Sequence, residues 1–480
     1  MSDSHRVTRR DVLSTAAMVG AASAIVGSAA AGPANDAVAY GVIGTGGRGS
    51  YLLKHLRAIG NGRCVAVCDL DAGKTDTAAQ IIGTGPAKYR DYRALLDNGN
   101  VEAVLIAVPL FEHYALTRDA LLAGKHVFCE KSLVFQPYEV HALRALAAQH
   151  PKQVLQVGLQ RRYSKFYQIA KAMVDKGLLG NVTHVHAQWH RNPGWVMRGF
   201  NWRLYREYSG GLAAELASHQ IDIADWMFGS TPEYVIGVGG LDTWKDGRDV
   251  DDNIQLIYKY PNNQKLIYSS ITTNSHMPYL GATRPEFGEV IMGTGGSLEM
   301  TVGDGERNMA TALFYRETTR VVASPPPLPG EKEPPTPAGA TYLIGGGQRG
   351  LPLAVATGQL DLANDDSFLA RELKYARRWL YSKGVIVDDE DANPAETELL
   401  SFFDNCRGGG RPKADLDIGL NDSIAVILSN LCMREERRVY LSEIDKMGRD
   451  ENEAQFVARL AKSQASYRQS LAAKKKIDVA

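Results

Sequence analysis

Two short stretches of the chain carry side chains that can move a proton. Glu130-Lys131 directly follows an apolar run, and Glu215 and His219 stand four residues apart. A buried lysine can hydrogen-bond a reacting hydroxyl and stabilise the alkoxide, and histidine is the natural acid or base near neutral pH. Residues four apart share one face of an α-helix, so Glu215 would orient His219 and keep it basic. These residue types and spacings predict acid–base chemistry at an alcohol.

Each pattern also has an interpretation without this chemistry. Glu-Lys pairs most often lie on a protein surface, and an acid four residues before a histidine can be a hydrogen-bonded pair and nothing more. A metal site built on Glu215 and His219 is less favoured, because no third ligand with suitable spacing is evident. We therefore expect no metal. Asp222, three residues beyond His219, lies close to the same helical stripe.

The glycines at 44–49 predict a site for a phosphate-bearing ligand. An apolar run breaks into Gly44-Thr45-Gly46-Gly47-Arg48-Gly49 and then into a helical pattern. In this spacing Gly44 makes the turn, Gly46 lets a pyrophosphate approach the backbone, and Gly49 lets helix and strand pack closely. Asp69 ends the next apolar run, where its carboxylate would accept hydrogen bonds from ribose hydroxyls and repel a 2′-phosphate. We predict a nicotinamide dinucleotide site that takes NAD rather than NADP.

Alternating elements must position these residues. From residue 40 to about 160, short apolar runs alternate with helical patterns, which is typical of βαβ units and a parallel sheet. Ligands bind such sheets at the carboxyl ends of the strands. The sequence puts three features at these ends: the glycine turn, Val108-Pro109 with His113, and Glu130-Lys131-Ser132.

Longer strand-like runs and irregular loops follow residue 158 and predict one largely antiparallel sheet, interrupted by a helix over 211–228. The predicted fold is an α/β Rossmann domain followed by an α+β domain with a large, mainly antiparallel open sheet. The predicted divisions are a signal peptide at 1–36, a NAD-binding domain at 37–160, a substrate-binding and oligomerisation domain at 161–445, and a C-terminal helical tail at 446–480. A Pro-rich loop is expected near 322–350.

The N-terminal segment has the pattern of an export signal. Arg9-Arg10 precedes an alanine-rich apolar stretch that ends in small residues. Paired arginines before a weakly hydrophobic stretch are typical of twin-arginine export, so we expect a periplasmic or otherwise exported protein. A membrane anchor is the alternative, less favoured because the apolar run is short. No other stretch is expected to span a bilayer.

Composition excludes some partners. The 54 basic and 54 acidic residues cancel, so no charge pattern for nucleic acid or an anionic membrane is visible. The odd count of five cysteines, without metal-ligand spacing, argues against a disulfide framework.

The ordered combination of motifs resembles the glucose-fructose oxidoreductase, inositol dehydrogenase and MocA family. It is carried by the glycine turn, Val108-Pro109 with His113, Cys129-Glu130-Lys131, and the helix from Gly210-Gly211 through Glu215 and His219 to Asp222. The resemblance covers roughly residues 38–438. It implies that the first domain binds NAD or NADP, and that the second supplies the substrate site and an open sheet used in homo-oligomers, either dimers or tetramers. Ser132 replaces the family's usual proline, which puts the cis peptide expected after Lys131 in doubt. Glu215 replaces the family's usual aspartate, and this longer side chain puts the geometry of the acid beside His219 in doubt.

Aromatic and polar residues between the two centres suit a carbohydrate. The runs 188–195 and 200–205 combine indoles with Arg, Asn and His, and could stack on sugar faces and hydrogen-bond their hydroxyls. Such aromatics are equally good core residues. The candidate substrate residues are Arg162, Tyr163, His190, Trp202, Arg203 and Asp222, and the candidate cofactor residues are Gly44, Thr45, Gly46, Gly47, Arg48, Gly49, Asp69, Val108, Pro109, His113, Glu130 and Lys131.

The expected function is an exported oxidoreductase that uses tightly bound NAD(H) to move hydride at a secondary hydroxyl of a sugar, glycoside or cyclitol. Lys131, His219 and Glu215 are the expected catalytic residues. Two alternatives stay open. One is a glycosidase or lyase whose NAD oxidises a sugar carbon only transiently, and the other is a binding protein that has lost chemistry.

Overall fold

The computed structural model of the chain describes residues 37–190, 200–273, 287–301, 311–317, 350–355, 367–387 and 393–479. The predicted signal peptide, residues 191–195 and nearly all of the Pro-rich stretch lie outside the described residues.

A parallel sheet forms the first domain, as predicted. Over the described residues it has six strands in the order β3-β2-β1-β4-β5-β6, all paired in parallel. Every residue of β1 is buried, because helices cover both faces of such a sheet. The strand order changes direction between β1 and β4, which opens a crevice at their carboxyl ends. The strands are β1 Val38–Ile43, β2 Gly62–Cys68, β3 Ala87–Tyr89, β4 Ala103–Ile106, β5 His126–Glu130 and β6 Leu155–Gly158.

Five helices alternate with these strands, and a sixth leads into the second domain. They are α1 Gly47–Ala58, α2 Ala72–Ile82, α3 Tyr92–Leu96, α4 His113–Leu122, α5 Pro137–Gln149 and α6 Lys165–Asp175. Helix α1 begins at Gly47, within the glycine motif itself, whereas the sequence pattern put the helix after the motif.

A mixed and mostly antiparallel sheet forms the second domain. Its described strands follow the order β14-β13-β12-β11-β7-β10-β9-β8-β15, and only the neighbours β7 and β10 run in parallel. The strands are β7 Val182–His190, β8 Tyr234–Gly240, β9 Asn253–Lys259, β10 Lys265–Ile271, β11 Phe287–Gly293, β12 Gly296–Thr301, β13 Thr311–Arg316, β14 Leu351–Val355 and β15 Val439–Tyr440. The short strands β3, β13, β14 and β15 were not predicted.

The helix expected over 211–228 has two parts. A π-helical turn, Ala213–Ala217, is followed by α7, Ser218–Phe228. π-helical turns widen the hydrogen-bond ladder from i→i+4 to i→i+5 and are frequent at functional sites. This turn carries Glu215, and His219 follows it directly.

Four helices complete the described chain: α8 Phe368–Ser382, α9 Pro394–Gly408, α10 Leu416–Glu435 and α11 Glu453–Val479. Helix α9 returns to the first domain, where Leu399, Phe402 and Phe403 share a buried cluster with Val38 and Tyr40. The core of the first domain is therefore built from two distant stretches of chain. The predicted bounds 37–160 include only the first of them.

Helix α10 corrects the expectation that no stretch after the signal could span a bilayer. By length and composition Leu416–Glu435 is long and apolar enough, although 61% of its apolar window is buried inside the protein. It contacts β6 and α5 of the first domain and β8 and α7 of the second. Its apolar surface therefore joins the cores of the two domains.

Candidate active site at the carboxyl ends of the parallel strands

The glycine turn has the shape that a pyrophosphate requires. Gly44 adopts a left-handed φ of 88°, and a Cβ on Gly49 would come within 1.9 Å of the Gly44 carbonyl oxygen. A Cβ on Gly46 or Gly47 would meet no atom within 4 Å, so the surface above the turn is open. Helix α1 has neither a capping side chain nor an acidic residue in its first turn. Its free N–H groups can therefore bind an anion.

Asp69 stands at the end of β2, beside this turn. Its Oδ2 accepts a hydrogen bond from the backbone N–H of Thr45 at 3.0 Å, and its Oδ1 accepts one from the N–H of Asp71 at 2.9 Å. The Nζ atom of Lys74, on a half-exposed side chain, lies 3.8 Å from Oδ1. The carboxylate fixes two turns and keeps further lone pairs for ribose hydroxyls. The residues present therefore fit a dinucleotide.

Arg48 and Glu130 are both in the crevice but bind each other. The Arg48 Nε donates to Glu130 Oε1 at 2.6 Å, and its Nη2 donates to Gln160 Oε1 at 2.8 Å. The Glu130 side chain is 9% exposed. This pair joins the glycine turn to the end of β5, so Arg48 is committed away from any 2′-phosphate.

His113 joins the loops after β4 and β5. Its Nδ1 lies 2.8 Å from the carbonyl oxygen of Ser132 and its Nε2 lies 2.9 Å from that of Val108. Burial lowers the pKa of His113, although both carbonyls favour the charged form. Because both ring nitrogens face backbone carbonyls, His113 positions the Val108-Pro109 loop and has no ring nitrogen left for a ligand.

Lys131 reaches from the end of β5 to the π-helical turn of the second domain. Its Nζ donates to the carbonyl oxygens of Ala214 at 2.9 Å and Glu215 at 2.8 Å. An ammonium has three N–H donors, so one is left for a substrate oxygen. Burial lowers the pKa of Lys131, and the nearby carboxylates of Glu215 and Glu130 oppose that shift. The Lys131–Ser132 peptide is cis, the isomer put in doubt by the serine.

His219 has the features of a neutral base. Its ring lies beside the Trp189 indole, with 5.6 Å between centroids, and its buried Nδ1 has no hydrogen-bond partner among the described residues. Burial, followed by the positive charges of Lys131, Arg161 and Arg48, holds the pKa of His219 well below its usual value. The imidazole is therefore uncharged at neutral pH.

Glu215 does not pair with His219 as the four-residue spacing predicted. Its Oε2 instead accepts from the Arg203 Nε at 3.0 Å. The reason is the π-helical turn, because the α-helical rule that aligns residues four apart does not hold across i→i+5 hydrogen bonds. Burial raises the pKa of Glu215, but Lys131 and Arg203 outweigh this and lower it overall.

The candidate substrate residues divide into two groups. Arg203 belongs to the site because it forms an ion pair with Glu215. Its guanidinium lies 4.4 Å from the centre of the Trp202 ring. His190 ends β7, which also carries Trp189. Arg162 and Asp222, by contrast, form a buried ion pair at 2.6 Å, and Tyr163 is 1% exposed in the core. These three hold the domain junction together.

One contact behind Lys131 had no sequence signal. Asp422 of α10 accepts a hydrogen bond from the Ser132 hydroxyl at 3.3 Å, and the Ser423 hydroxyl accepts one from the Val134 N–H at 3.2 Å. The partners lie about 290 residues apart in sequence. A serine at position 132, where a proline offers no donor, was the only available hint.

Within the described residues, no group of three His, Cys, Asp or Glu side chains is placed to hold a metal ion. Together, the described contacts bring Lys131, Glu215, Arg203 and His219 to the crevice where the glycine turn and Asp69 stand. The glycine turn and Asp69 would hold a dinucleotide there, which would supply a hydride acceptor, and Lys131 and His219 would supply the acid–base groups.

Comparison with known proteins identifies both domains. Residues 38–159 match the model of an oxidoreductase family with an NAD-binding Rossmann fold, and residues 167–299 match that of the GFO/IDH/MocA C-terminal domain. The inositol 2-dehydrogenase of Salmonella paratyphi B is 31% identical over 189 residues, which cover 39% of this chain and 53% of that protein. The chain spans about half the length of the curated relatives it matches.

Solved structures show the same fold over more of the chain. An aldose-aldose oxidoreductase from Caulobacter crescentus and a levoglucosan dehydrogenase bound to NADH and levoglucosan both align with a TM-score of 0.62 and 18% identity. Each alignment covers 84% of this chain and 99% of the other. The two family models together match more than half of the residues, in the order in which the two domains stand. The first domain is an NAD-binding Rossmann fold, and the chain belongs to the GFO/IDH/MocA family.

Proposed function

We propose that the protein is an exported oxidoreductase that uses tightly bound NAD(H) to transfer hydride at a secondary hydroxyl of a sugar, glycoside or cyclitol. The observation that carries this proposal is the position of Lys131. Its side chain extends from the nucleotide-binding domain into the second domain. There its ammonium donates hydrogen bonds to two backbone carbonyls of the π-helical turn that precedes His219. An amine fixed between the nucleotide-binding sheet and the second domain supports a role at a substrate hydroxyl. The named substrates of the relatives, inositol and levoglucosan among them, support the carbohydrate class.

The nicotinamide would supply a hydride acceptor, and the protein's own residues would handle the proton. The uncommitted N–H of Lys131 would donate to the hydroxyl oxygen and stabilise the alkoxide. The uncharged imidazole of His219 would accept the hydroxyl proton. Arg203, held by Glu215, would contact neighbouring hydroxyls. Glu215 itself would act by holding Lys131 and Arg203 in place.

Export rests on Arg9-Arg10 and the apolar stretch that follows. Replacing both arginines with lysine should keep the protein in the cytoplasm, and cell fractionation would show this. Fractionation identical to that of the unmodified protein would contradict the twin-arginine route.

A protein that leaves the cytoplasm folded would carry its cofactor with it. Protein purified without added nucleotide should therefore absorb as a cofactor complex after gel filtration, and finding apo protein that binds NAD only weakly would contradict retention.

Products decide between the proposed function and its alternatives. The purified protein is incubated with a panel of sugars, glycosides and cyclitols, with and without an added electron acceptor, and the products are weighed by mass spectrometry. A keto-sugar that accumulates with the acceptor supports the oxidoreductase. A released aglycone without net redox change would show a glycosidase or lyase that oxidises its substrate transiently. No product from any member would favour a binding protein.

A further inference from the structure

The C-terminal helix α11 is anchored on the first domain at its start. The Phe456 ring, 1% exposed, contacts Tyr114 edge-on at 4.9 Å and stacks on Tyr138 at 5.6 Å between centroids. Glu453 accepts hydrogen bonds from the Arg118 guanidinium and from the Tyr138 hydroxyl. A ring buried among aromatic rings and a carboxylate with two donors fix this end of the helix on α4 and α5.

Further along, α11 contacts the loop after β4. The side-chain amide of Gln464 donates to Glu112 Oε2 at 3.0 Å, and the Tyr467 ring lies 5.5 Å from that of Phe111. Phe111 and Glu112 continue the loop that begins with Val108-Pro109 and is held by His113. The helix therefore lies against a loop at the carboxyl ends of the parallel strands, where the dinucleotide crevice opens.

The same part of α11 also contacts the second domain. Tyr467 packs against Phe200 at 5.6 Å and Tyr208 at 5.5 Å, and Ser466 Oγ lies 2.7 Å from the Tyr208 hydroxyl. Phe111 touches Tyr208 directly, with 5.2 Å between ring centroids. Four rings from three distant stretches of chain thus form one cluster that bridges the two domains beside the crevice.

The cluster senses charges on both sides of the crevice. Burial, together with the charges of Asp69 and Glu112 and against that of Arg203, raises the pKa of Tyr467 to about 12. Asp69 marks the ribose side of the crevice, and Arg203 belongs to the reacting side. The Tyr467 side chain is therefore within electrostatic reach of both.

We propose that α11 forms the outer wall of the cofactor cleft and slows release of the dinucleotide. Residues 464–467 tie the loop after β4 to the second domain, so the loop cannot swing away from the cleft until these contacts break. Contacts of this kind act mainly on the dissociation rate, and loop or domain opening often limits ligand release. The inference rests on the proposed function, because it assumes that the cleft holds NAD(H).

The test uses a charge that can be moved from one partner to the other. Gln464→Glu places a second carboxylate opposite Glu112, and the double variant with Glu112→Gln restores one amide and one carboxylate in exchanged positions. Full-length protein is loaded with NADH and mixed at pH 8 with excess NAD, and loss of nicotinamide fluorescence reports release. We expect release about tenfold faster in Gln464→Glu, the scale of one lost hydrogen bond to a charged group. The double variant should return to the wild-type rate.

Two further variants complete the test. Val457→Ala changes an exposed residue of the same helix, 47% exposed, and should leave release unchanged. Tyr467→Ala removes the central ring and should accelerate release at least as much as Gln464→Glu. Wild-type release rates in both Gln464→Glu and Tyr467→Ala, with circular dichroism showing folded protein, would overturn the role of α11 alone. A wild-type protein that contains no nucleotide when purified and also takes up no NADH would overturn the proposed function as well.

Discussion

The two walls of the cleft use their polar groups in different ways. On the wall made by the parallel strands, Arg48, Glu130, Asp69 and His113 are bonded to one another or to the backbone. On the wall made by the π-helical turn, the Nδ1 of His219 has no hydrogen-bond partner among the residues described. Lys131 belongs to both walls, with two donors committed and one left.

This difference separates the groups that hold a cofactor from the group that takes a proton from the substrate. Groups that are already bonded lose little entropy when a ligand arrives, so they suit a cofactor that stays bound. A base must keep a lone pair available for a proton that comes and goes. If this division is correct, changes on the π-helical side should reduce turnover and spare the bound nucleotide, and changes around Asp69 should alter which nucleotide is bound.

The largest effect is expected at Lys131. Lys131→Met keeps the length of the side chain but removes every donor, so turnover on the identified substrate should fall by about 10² to 10⁴-fold, the usual contribution of a positioned acid–base group. The nucleotide content, measured after acid extraction, should not change. Lys88→Met, at an exposed ion pair with Asp76, is the matched control. Turnover equal to that of the wild type would rule out a catalytic Lys131.

His219→Gln tests the other side and should also cost about 10² to 10⁴-fold. The pH profile adds information, because the pKa of His219 is held well below 6.5. The wild-type rate should stay high as pH falls through 6.5 and decline only below it, where His219 gains its proton. The variant should lose this acid limb. His141→Gln, whose ring faces the carbonyls of Ile444 and Met447, is the control. An acid limb that persists in His219→Gln would assign it to another group.

Glu215→Gln should have a smaller effect, about tenfold on turnover, since its hydrogen bond to Arg203 can survive while the charge is lost. Glu215 opposes the lowering of the Lys131 pKa, so its removal should lower that pKa further. If protonated Lys131 is the active form, the rate falls as pH rises through this pKa. The alkaline limb of the profile should therefore move to lower pH in the variant. Glu233→Gln, on an exposed acid near Lys259, should not move it.

The cofactor itself gives the last prediction, which requires no mutation. Nucleotide extracted from purified protein should be NAD, because the Asp69 carboxylate would repel a 2′-phosphate and Arg48 is committed to Glu130. Liquid chromatography identifies the species. NADP as the dominant nucleotide would contradict the roles of both residues and would direct attention to Lys74.

The first wall was predictable because its signals are local. The glycine turn, the apolar strands and the acid after β2 each require only a few neighbouring residues. The confirmed fold class follows from the same alternation of strands and helices. Spacing could place these residues because strand and helix periods are regular.

The second wall was less predictable because its geometry depends on irregular or distant structure. The i,i+4 rule predicts a contact between Glu215 and His219. In the structure Glu215 lies in a π-helical turn, and its carboxylate accepts a hydrogen bond from Arg203 instead. Arg162 and Asp222 looked like polar groups available to a sugar, and only the packed structure shows them bonded to each other. Contacts such as Ser132 with Asp422 join residues whose separation hides them from any local pattern.

The return of α9 to the first domain has a consequence for the order of folding. The nucleotide-binding core needs Phe402 and Phe403, yet β1 is made more than 300 residues earlier during synthesis. Pairs such as His55 with Glu396 and Arg407 with Glu102 close these long loops. Closing them costs chain entropy before packing repays it, which slows folding. A ribosome-bound chain that ends before α9 should therefore expose the β1 face to proteolysis, and the first domain should reach its final packing only once α9 has been synthesised.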